Sequence, residues 1–224
     1  MPEKIKNWDS VITDKKAWKY QSLHPEFPKI SRILFAAPSG AGKTNSLMTL
    51  LLGQDGSTPY LYYDEIVIYT RTPQQEKYVA LKKICDKLAE KAHVKPFCTI
   101  TNDPIKPVKD VDKELVKVVI FDDLIGCAKE ESKKIENYFT FGRHHRCHCI
   151  YLSQSYFQTP IMIRKNCSHF CIYHLSGKRE INAILYDHGE VTQEQYDQNA
   201  SGYDFICINK FNKTVTKNFD IPLD

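Results

Sequence analysis

No apolar run in this 224-residue chain approaches the ~20 residues needed to cross a bilayer. That excludes a helical membrane-spanning class, and no membrane partner is expected. The opening residues, Met-Pro-Glu-Lys-Ile-Lys-Asn-Trp, lack the apolar stretch of a secretory signal. A cytosolic setting, or a compartment derived from the cytosol, is the expectation, and there the eight cysteines are expected to remain thiols. A Cys-x-x-Cys knuckle is also missing, which argues against a zinc site. The sulfur and imidazole groups that do cluster are His144, His145, Cys147, His148 and Cys149, then Cys167, His169, Cys171 and His174. They lie in or beside predicted strands, where small thiols pack well, so core thiols are expected rather than a metal centre. There is no internal repeat and no low-complexity segment. Nor is there strong charge of one sign: a net charge of +4 permits contact with nucleic acid without requiring it. Hydrophobic content of 42% and charged content of 26% are ordinary for a globular protein, and the length suits one α/β domain with a full core.

What the chain does contain is the octapeptide Ala-Pro-Ser-Gly-Ala-Gly-Lys-Thr at residues 37–44. It follows the apolar run Ile33-Leu34-Phe35-Ala36 and leads into a helix-compatible stretch, Asn45 to Leu52. A strand, a glycine-bearing loop and a helix N-terminus make a phosphate cradle, because successive N–H groups point inward and the helix dipole adds partial positive charge. Pro38, Ser39, Gly40, Ala41, Gly42, Lys43, Thr44 and Asn45 are the expected nucleotide-binding residues. Lys43 would reach the β- and γ-phosphates of ATP, and the Thr44 hydroxyl would hold Mg²⁺. Ala37 stands where the usual pattern has glycine, which costs backbone freedom but removes no phosphate ligand. By average residue usage such a pattern arises by accident in about 1–2% of chains this long, and the strand-before, helix-after context lowers that further.

A second element completes this chemistry. Val116 to Phe121 is an apolar run suited to a central parallel strand, and Asp122 and Asp123 end it. Asp122 is placed to hold the Mg²⁺ shell, and Asp123 to polarise an attacking water. Around these motifs, strands are expected at 61–70, near 97–100, at 147–153 and at 168–174. A closing strand pair is expected at 203–208 and 214–219. Helices are expected at 75–91 (buried through Tyr78, Leu81, Ile84 and Leu88), at 131–143 (Ile135, Tyr138 and Phe139) and at 178–187. Alternating strand and helix predicts a mainly parallel sheet with helices on both faces. Residues 1–30 read as an irregular N-terminal arm and 31–224 as the ATPase domain.

Several further motifs follow in order: Phe141-Gly142-Arg143-His144, then Tyr151-Leu152-Ser153-Gln154-Ser155-Tyr156-Phe157, then Ile163-Arg164-Lys165-Asn166. Over residues 31–190 this arrangement resembles the FtsK–HerA superfamily of DNA-pumping ATPases. More closely, it resembles the poxvirus-type genome-packaging ATPases of large DNA viruses, virophages and Polinton-like elements. The resemblance implies an α/β P-loop NTPase of the additional-strand (RecA-like) type with a short antiparallel C-terminal extension. It implies a homo-oligomeric ring that pumps double-stranded DNA, without reading its sequence, into a capsid or at its portal vertex. The setting would be the host cytoplasm or a viral factory, with virion association. Gln154 sits where the family has its sensor residue. Arg143 sits where similar motors have an arginine that enters the neighbouring subunit's ATP site, with Arg146 and then Arg164 in reserve. Such ATPases often carry Glu at the position of Asp123, one methylene longer. Phosphate-backbone contacts would come from Lys106 and Lys109, or from Lys129, Lys133 and Lys134. A small P-loop nucleotide kinase, with Arg143 and Arg146 imitating a lid, and a nucleotide-gated assembly protein without useful turnover remain as alternatives.

Overall fold

The computed structural model describes residues 23–223 except 55, 57 and 190, so most of the expected N-terminal arm lies outside the described residues. Strands and helices alternate as β1 (Arg32–Ala36), α1 (Lys43–Leu52), β2 (Glu65–Thr70), α2 (Glu76–Ala92), β3 (Cys98–Thr101) and β4 (Lys117–Asp122). They continue as α3 (Lys129–Phe141), β5 (Cys147–Ser153), α4 (Ile161–Asn166), β6 (His169–Tyr173), α5 (Lys178–Asp187) and α6 (Gln193–Asn199). The chain closes with β7 (Phe205–Asn209), β8 (Thr214–Lys217) and β9 (Ile221–Pro222). All belong to one sheet in the order β3-β2-β4-β5-β1-β6-β7-β8-β9. The first six strands run parallel, and β7 to β9 are added antiparallel. The strand inserted between the phosphate-loop strand β1 and the carboxylate strand β4 is β5, which defines the additional-strand arrangement.

Burial explains the layering. Strands β4 and β5 are buried at every residue, as expected of parallel strands covered on both faces. On one face, Ile135, Tyr138 and Phe139 of α3, Ile163 of α4, Ile181 and Ile184 of α5 and Tyr196 of α6 pack on the sheet. On the other, Leu47, Leu50 and Leu51 of α1 and Tyr78, Leu81 and Cys85 of α2 do so, together with Phe27 and Phe219. The buried edge of α2 therefore runs through Tyr78, Leu81, Cys85 and Ala89, while Ile84 and Leu88 face outward. The smaller side chains let α2 lie close to β3, where Cys85 meets the Cys98 thiol. Elements α4 and α6 go beyond the sequence expectation, and β2 and β7 start later than expected, at Glu65 and Phe205.

The thiols of the Cys/His stretch, Cys147, Cys149, Cys167 and Cys171, are buried in or beside β5 and β6. His148 and His169 serve as internal hydrogen-bonding struts. The backbone N–H of Ser31 can only donate, so His148 Nδ1 accepts from it at 3.0 Å and Nε2 donates to the Tyr62 carbonyl at 3.1 Å. His169 Nε2 donates to the Glu26 carbonyl at 2.8 Å. Burial pulls both rings down to about 4, so they are neutral near pH 7. No described helix is long and apolar enough to cross a membrane.

Candidate nucleotide site

The parallel strands bring their C-terminal tips to one edge of the sheet. Thr70, Asp122, Leu152, Phe35 and Cys171 form one row across β2, β4, β5, β1 and β6. Each strand ends at that row or within two residues beyond it, and the loops that follow carry most of the site. After Ala36 the chain turns through Gly40 (φ 78°) and Gly42 (φ 103°), both in the left-handed region that favours glycine. Gly42 caps α1, so the first helical N–H groups face the loop. Lys43 Nζ donates to the Ala37 carbonyl at 2.6 Å and the Pro38 carbonyl at 3.0 Å, which holds the amine over the loop. Burial lowers the Lys43 amine from its usual value, opposed by the nearby charges of Asp122 and Asp123. Ala37 is fully buried, so its methyl packs in the core and takes no space from the cradle.

Asp122 ends β4, two strand spacings (about 10 Å) from β1, which leaves room for phosphate, cation and water between them. It is buried, and its Oδ2 accepts from Tyr78 Oη at 2.6 Å and Thr70 Oγ1 at 3.5 Å. Its Oδ1 has no hydrogen bond among the described residues. Burial raises the Asp122 carboxyl above the ordinary range; Tyr78 and Lys43 pull it down, while Asp123 pushes it further up. An anionic carboxylate at this depth would be stabilised by a cation. Thr44 and Asp122 offer only a hydroxyl and a carboxylate, oxygen donors of the kind Mg²⁺ takes while it keeps waters and substrate oxygens. The residues present fit that ion.

Asp123 leaves the strand with φ 52°, a conformation that costs a non-glycine residue of order 1 kcal/mol or more. Its N–H donates to the Leu152 carbonyl at 3.1 Å, and its exposed carboxylate accepts from Gln154 Nε2 at 2.8 Å. Gln154, at the tip of β5, thus sits between the two motifs and touches the acidic one. The turn that presents it is tightly bonded. Ser153 Oγ donates to the Ser155 carbonyl at 2.6 Å, Thr159 Oγ1 lies 2.9 Å from Ser153 Oγ, and Glu180 accepts from Ser155 Oγ at 2.8 Å and Phe157 N–H at 3.1 Å. Sequence reasoning missed Tyr78, Thr70, Thr159 and Glu180 as supports, because their contacts exist only in the folded sheet.

The arginines lie elsewhere. Arg143 is exposed on a 3₁₀ turn at Gly142–His145, at the N-terminal end of β5 and so at the opposite edge of the sheet. Seven strand residues separate it from Gln154 by roughly 20 Å, so it cannot serve the site of its own chain. Its guanidinium makes no hydrogen bond or ion pair among the described residues; only its backbone carbonyl is engaged, accepting from the Arg146 N–H at 3.3 Å. Arg146 donates to the Glu114 carbonyl at 3.2 Å. Arg164 is committed internally: Nε donates to the Thr159 carbonyl at 3.1 Å, the guanidinium lies 4.8 Å from the centre of the Tyr156 ring, and Asp187 is 3.9 Å away.

A phosphate loop, a carboxylate strand and a glutamine-bearing strand inserted between them define a P-loop NTPase of the additional-strand class. The chain belongs to a family within it: the family described as "Poxvirus A32 protein" matches residues 15–196. It is 26% identical over 157 residues to the DNA packaging protein OPG160 of Variola virus, covering 65% of this chain and 53% of that protein. With the Vaccinia virus (strain Copenhagen) protein of the same name it is 27% identical over 151 residues, with the same coverage. The chain therefore spans about half the length of the curated relatives it matches. In structure it is similar to the genome packaging NTPase B204 of Sulfolobus turreted icosahedral virus 2 in complex with ATP-gammaS. That likeness has a TM-score of 0.57 and 12% identity, over 88% of this chain and all of that one (100%). EssC (ATPases 2 and 3) from Geobacillus thermodenitrificans gives a TM-score of 0.52 at 13% identity, over 87% of this chain and 40% of that one.

Proposed function

We propose that this chain is an ATPase that assembles as a homo-oligomeric ring and couples hydrolysis to the movement of double-stranded DNA into a capsid, in the host cytoplasm or a viral factory. Residues 31–224 form the motor unit, with Glu26 and Phe27 packed against it. The observation that carries this reading is the 2.8 Å bond to Asp123 from Gln154, which stands at the tip of the strand that separates the phosphate loop from Asp122. A kinase that hands phosphate to a bound acceptor has no need of a carboxylate and an amide poised together over the γ-phosphate position. An engine that must sense the loss of that phosphate does. The relatives' names, as DNA packaging proteins, support duplex DNA as the cargo.

In this account the loop N–H groups from Gly40 to Asn45 hold the phosphates, and Lys43 offsets charge on the β- and γ-phosphates. Thr44 and Asp122 would hold Mg²⁺, which when bound would supply positive charge against that developing on the phosphoryl oxygens. Asp123 polarises the attacking water; the water oxygen bonds to the γ-phosphorus as the bond to the bridging oxygen breaks, releasing ADP and phosphate. Gln154 donates to Asp123 and has a further N–H and a carbonyl for water and γ-phosphate. Loss of phosphate then changes its bonding, and the rigid turn behind it passes the change to β5 and α5. Arg143, too distant to act within its chain, acts across a subunit boundary. Lys106, Lys109 and Lys129 are exposed without an ion pair among the described residues and are the first choice for phosphate-backbone contacts. Lys133 and Lys134 are tied to Glu136 and Glu131 and contribute less.

Product analysis with ATP and a nucleoside monophosphate present tests the reading. Release of ADP and inorganic phosphate, accelerated by duplex DNA, is expected. Transfer to the monophosphate would establish a kinase instead, and binding without turnover in either condition would leave a nucleotide-gated assembly protein.

A further inference from the structure

We propose that Tyr203 is the stacking platform for the nucleobase of the bound nucleoside triphosphate, an inference that rests on the nucleotide-site reading above. Gly42, in the phosphate loop, is buried, and what lies over it is the Tyr203 side chain. A Cβ built on Gly42 would stand 3.1 Å from Tyr203 Cδ1 and 3.8 Å from its Cβ and Cγ, and these are the three nearest atoms. Yet Tyr203 itself is 72% exposed. A large aromatic ring resting one edge on a phosphate cradle, with most of its surface open to solvent, is a surface suited to a flat apolar ligand.

The direction of the triphosphate places the base there. The hydrolytic groups, Asp122, Asp123 and Gln154, lie on β4 and β5, to one side of β1. The γ-phosphate must point to that side, so the α-phosphate and the nucleoside point away from it, toward β6 and β7. Strand β7 runs antiparallel to β6, with Phe205 opposite Tyr173, so the residues just before Phe205 stand at the same sheet edge as the phosphate loop. Tyr203 is two residues ahead of that point.

The turn that carries the ring is fixed rather than loose. Asp204 N–H donates to the Ser201 carbonyl at 3.0 Å. The Asp204 carboxylate is bonded by Asn218 Nδ2 at 3.0 Å and Lys217 Nζ at 2.9 Å. On the other side, Ala200 is buried and its N–H donates to Tyr196, whose hydroxyl ties α6 to Leu175 N–H and the Tyr173 carbonyl, both at 2.8 Å. Anchoring the backbone while leaving the ring exposed lowers the entropy lost on stacking. Because every base has a π-face, this platform accepts any nucleobase, with purines favoured by their larger rings.

The test compares affinities of ATP and of inorganic tripolyphosphate, both with Mg²⁺, for wild type, Tyr203→Ala and Tyr203→Phe. Stacking on one aromatic predicts that Tyr203→Ala weakens ATP by about 5- to 150-fold, leaves tripolyphosphate unchanged, and that Tyr203→Phe behaves as wild type. Unchanged ATP affinity in Tyr203→Ala would overturn the stacking role. So would an equal loss for tripolyphosphate, which would mean that the ring only props the loop. A wild type that binds neither ligand would instead sink the nucleotide-site reading, and this proposal with it.

Discussion

Arg143→Ala is expected to leave ATP binding intact and to lower hydrolysis by about 10³–10⁵-fold, the range that arginine fingers supply in phosphoryl transfer. Binding survives because Arg143 stands at the far edge of the sheet from its own phosphate loop. Hydrolysis collapses because a planar, permanently charged guanidinium from the neighbouring subunit no longer meets the charge that spreads over the transferring phosphoryl group. Mixing separates this from a structural role. In a ring, each interface joins one subunit's phosphate loop to the next subunit's Arg143. Arg143→Ala subunits keep an intact loop, and Lys43→Ala subunits keep an intact arginine. A 1:1 mixture should then recover roughly a quarter of the competent interfaces. Co-assembly is verified first by tagged pull-down. Co-assembled mixtures with no recovered phosphate release would remove Arg143 from this role, and Arg146 would be tried next. Arg164 is the weaker substitute, since Thr159, Tyr156 and Asp187 already hold it.

The two aspartates should respond differently to loss of charge. Asp123→Asn keeps the shape but gives up the carboxylate that polarises water, so hydrolysis should fall by about 10²–10⁴-fold while Mg²⁺-ATP still binds. Gln154 would then lose its anionic acceptor, and the local turn, already at φ 52°, would favour asparagine as readily as aspartate. Asp122→Asn acts earlier. Its amide retains Tyr78 as a donor to one oxygen but presents no anion to a cation, so Mg²⁺ dependence and nucleotide affinity should both be lost. Equilibrium binding and single-turnover phosphate release on the two variants make the comparison. Equal losses of binding would contradict the division of labour between the two carboxylates.

The conformation of the loop at residues 37–44 is legible because it is local: Gly40 and Gly42 take two left-handed positions directly before α1. Strand β5 and helix α5 were legible to the residue, since uninterrupted burial leaves a clear apolar run in one and clear periodicity in the other. Helix α2 is legible in the sequence, but its buried edge is not the most hydrophobic one. Ile84 and Leu88 are more hydrophobic than Cys85 and Ala89, yet close helix–sheet packing selects the smaller side chains. Helix α6 has little apolar period to mark it, although Thr192 and Gln195 spell a capping box that the structure forms in full. Tyr78 read as a core residue, and it is buried as one, but its hydroxyl meets Asp122 across 44 residues of chain. Tyr203 falls within the strand expected at 203–208; Gly202, at φ 61°, instead turns the chain there and leaves the ring over Gly42.

Movement along DNA is the central claim, and displacement of a third strand from a triplex reads it directly. A fluorescent oligonucleotide is annealed into the major groove of a long duplex, and its release is followed with wild type, Lys43→Ala, ATP and a non-hydrolysable ATP analogue. The account predicts release by wild type with ATP, and none with the analogue or with Lys43→Ala. ATP hydrolysis stimulated by the duplex while the third strand stays in place would contradict it.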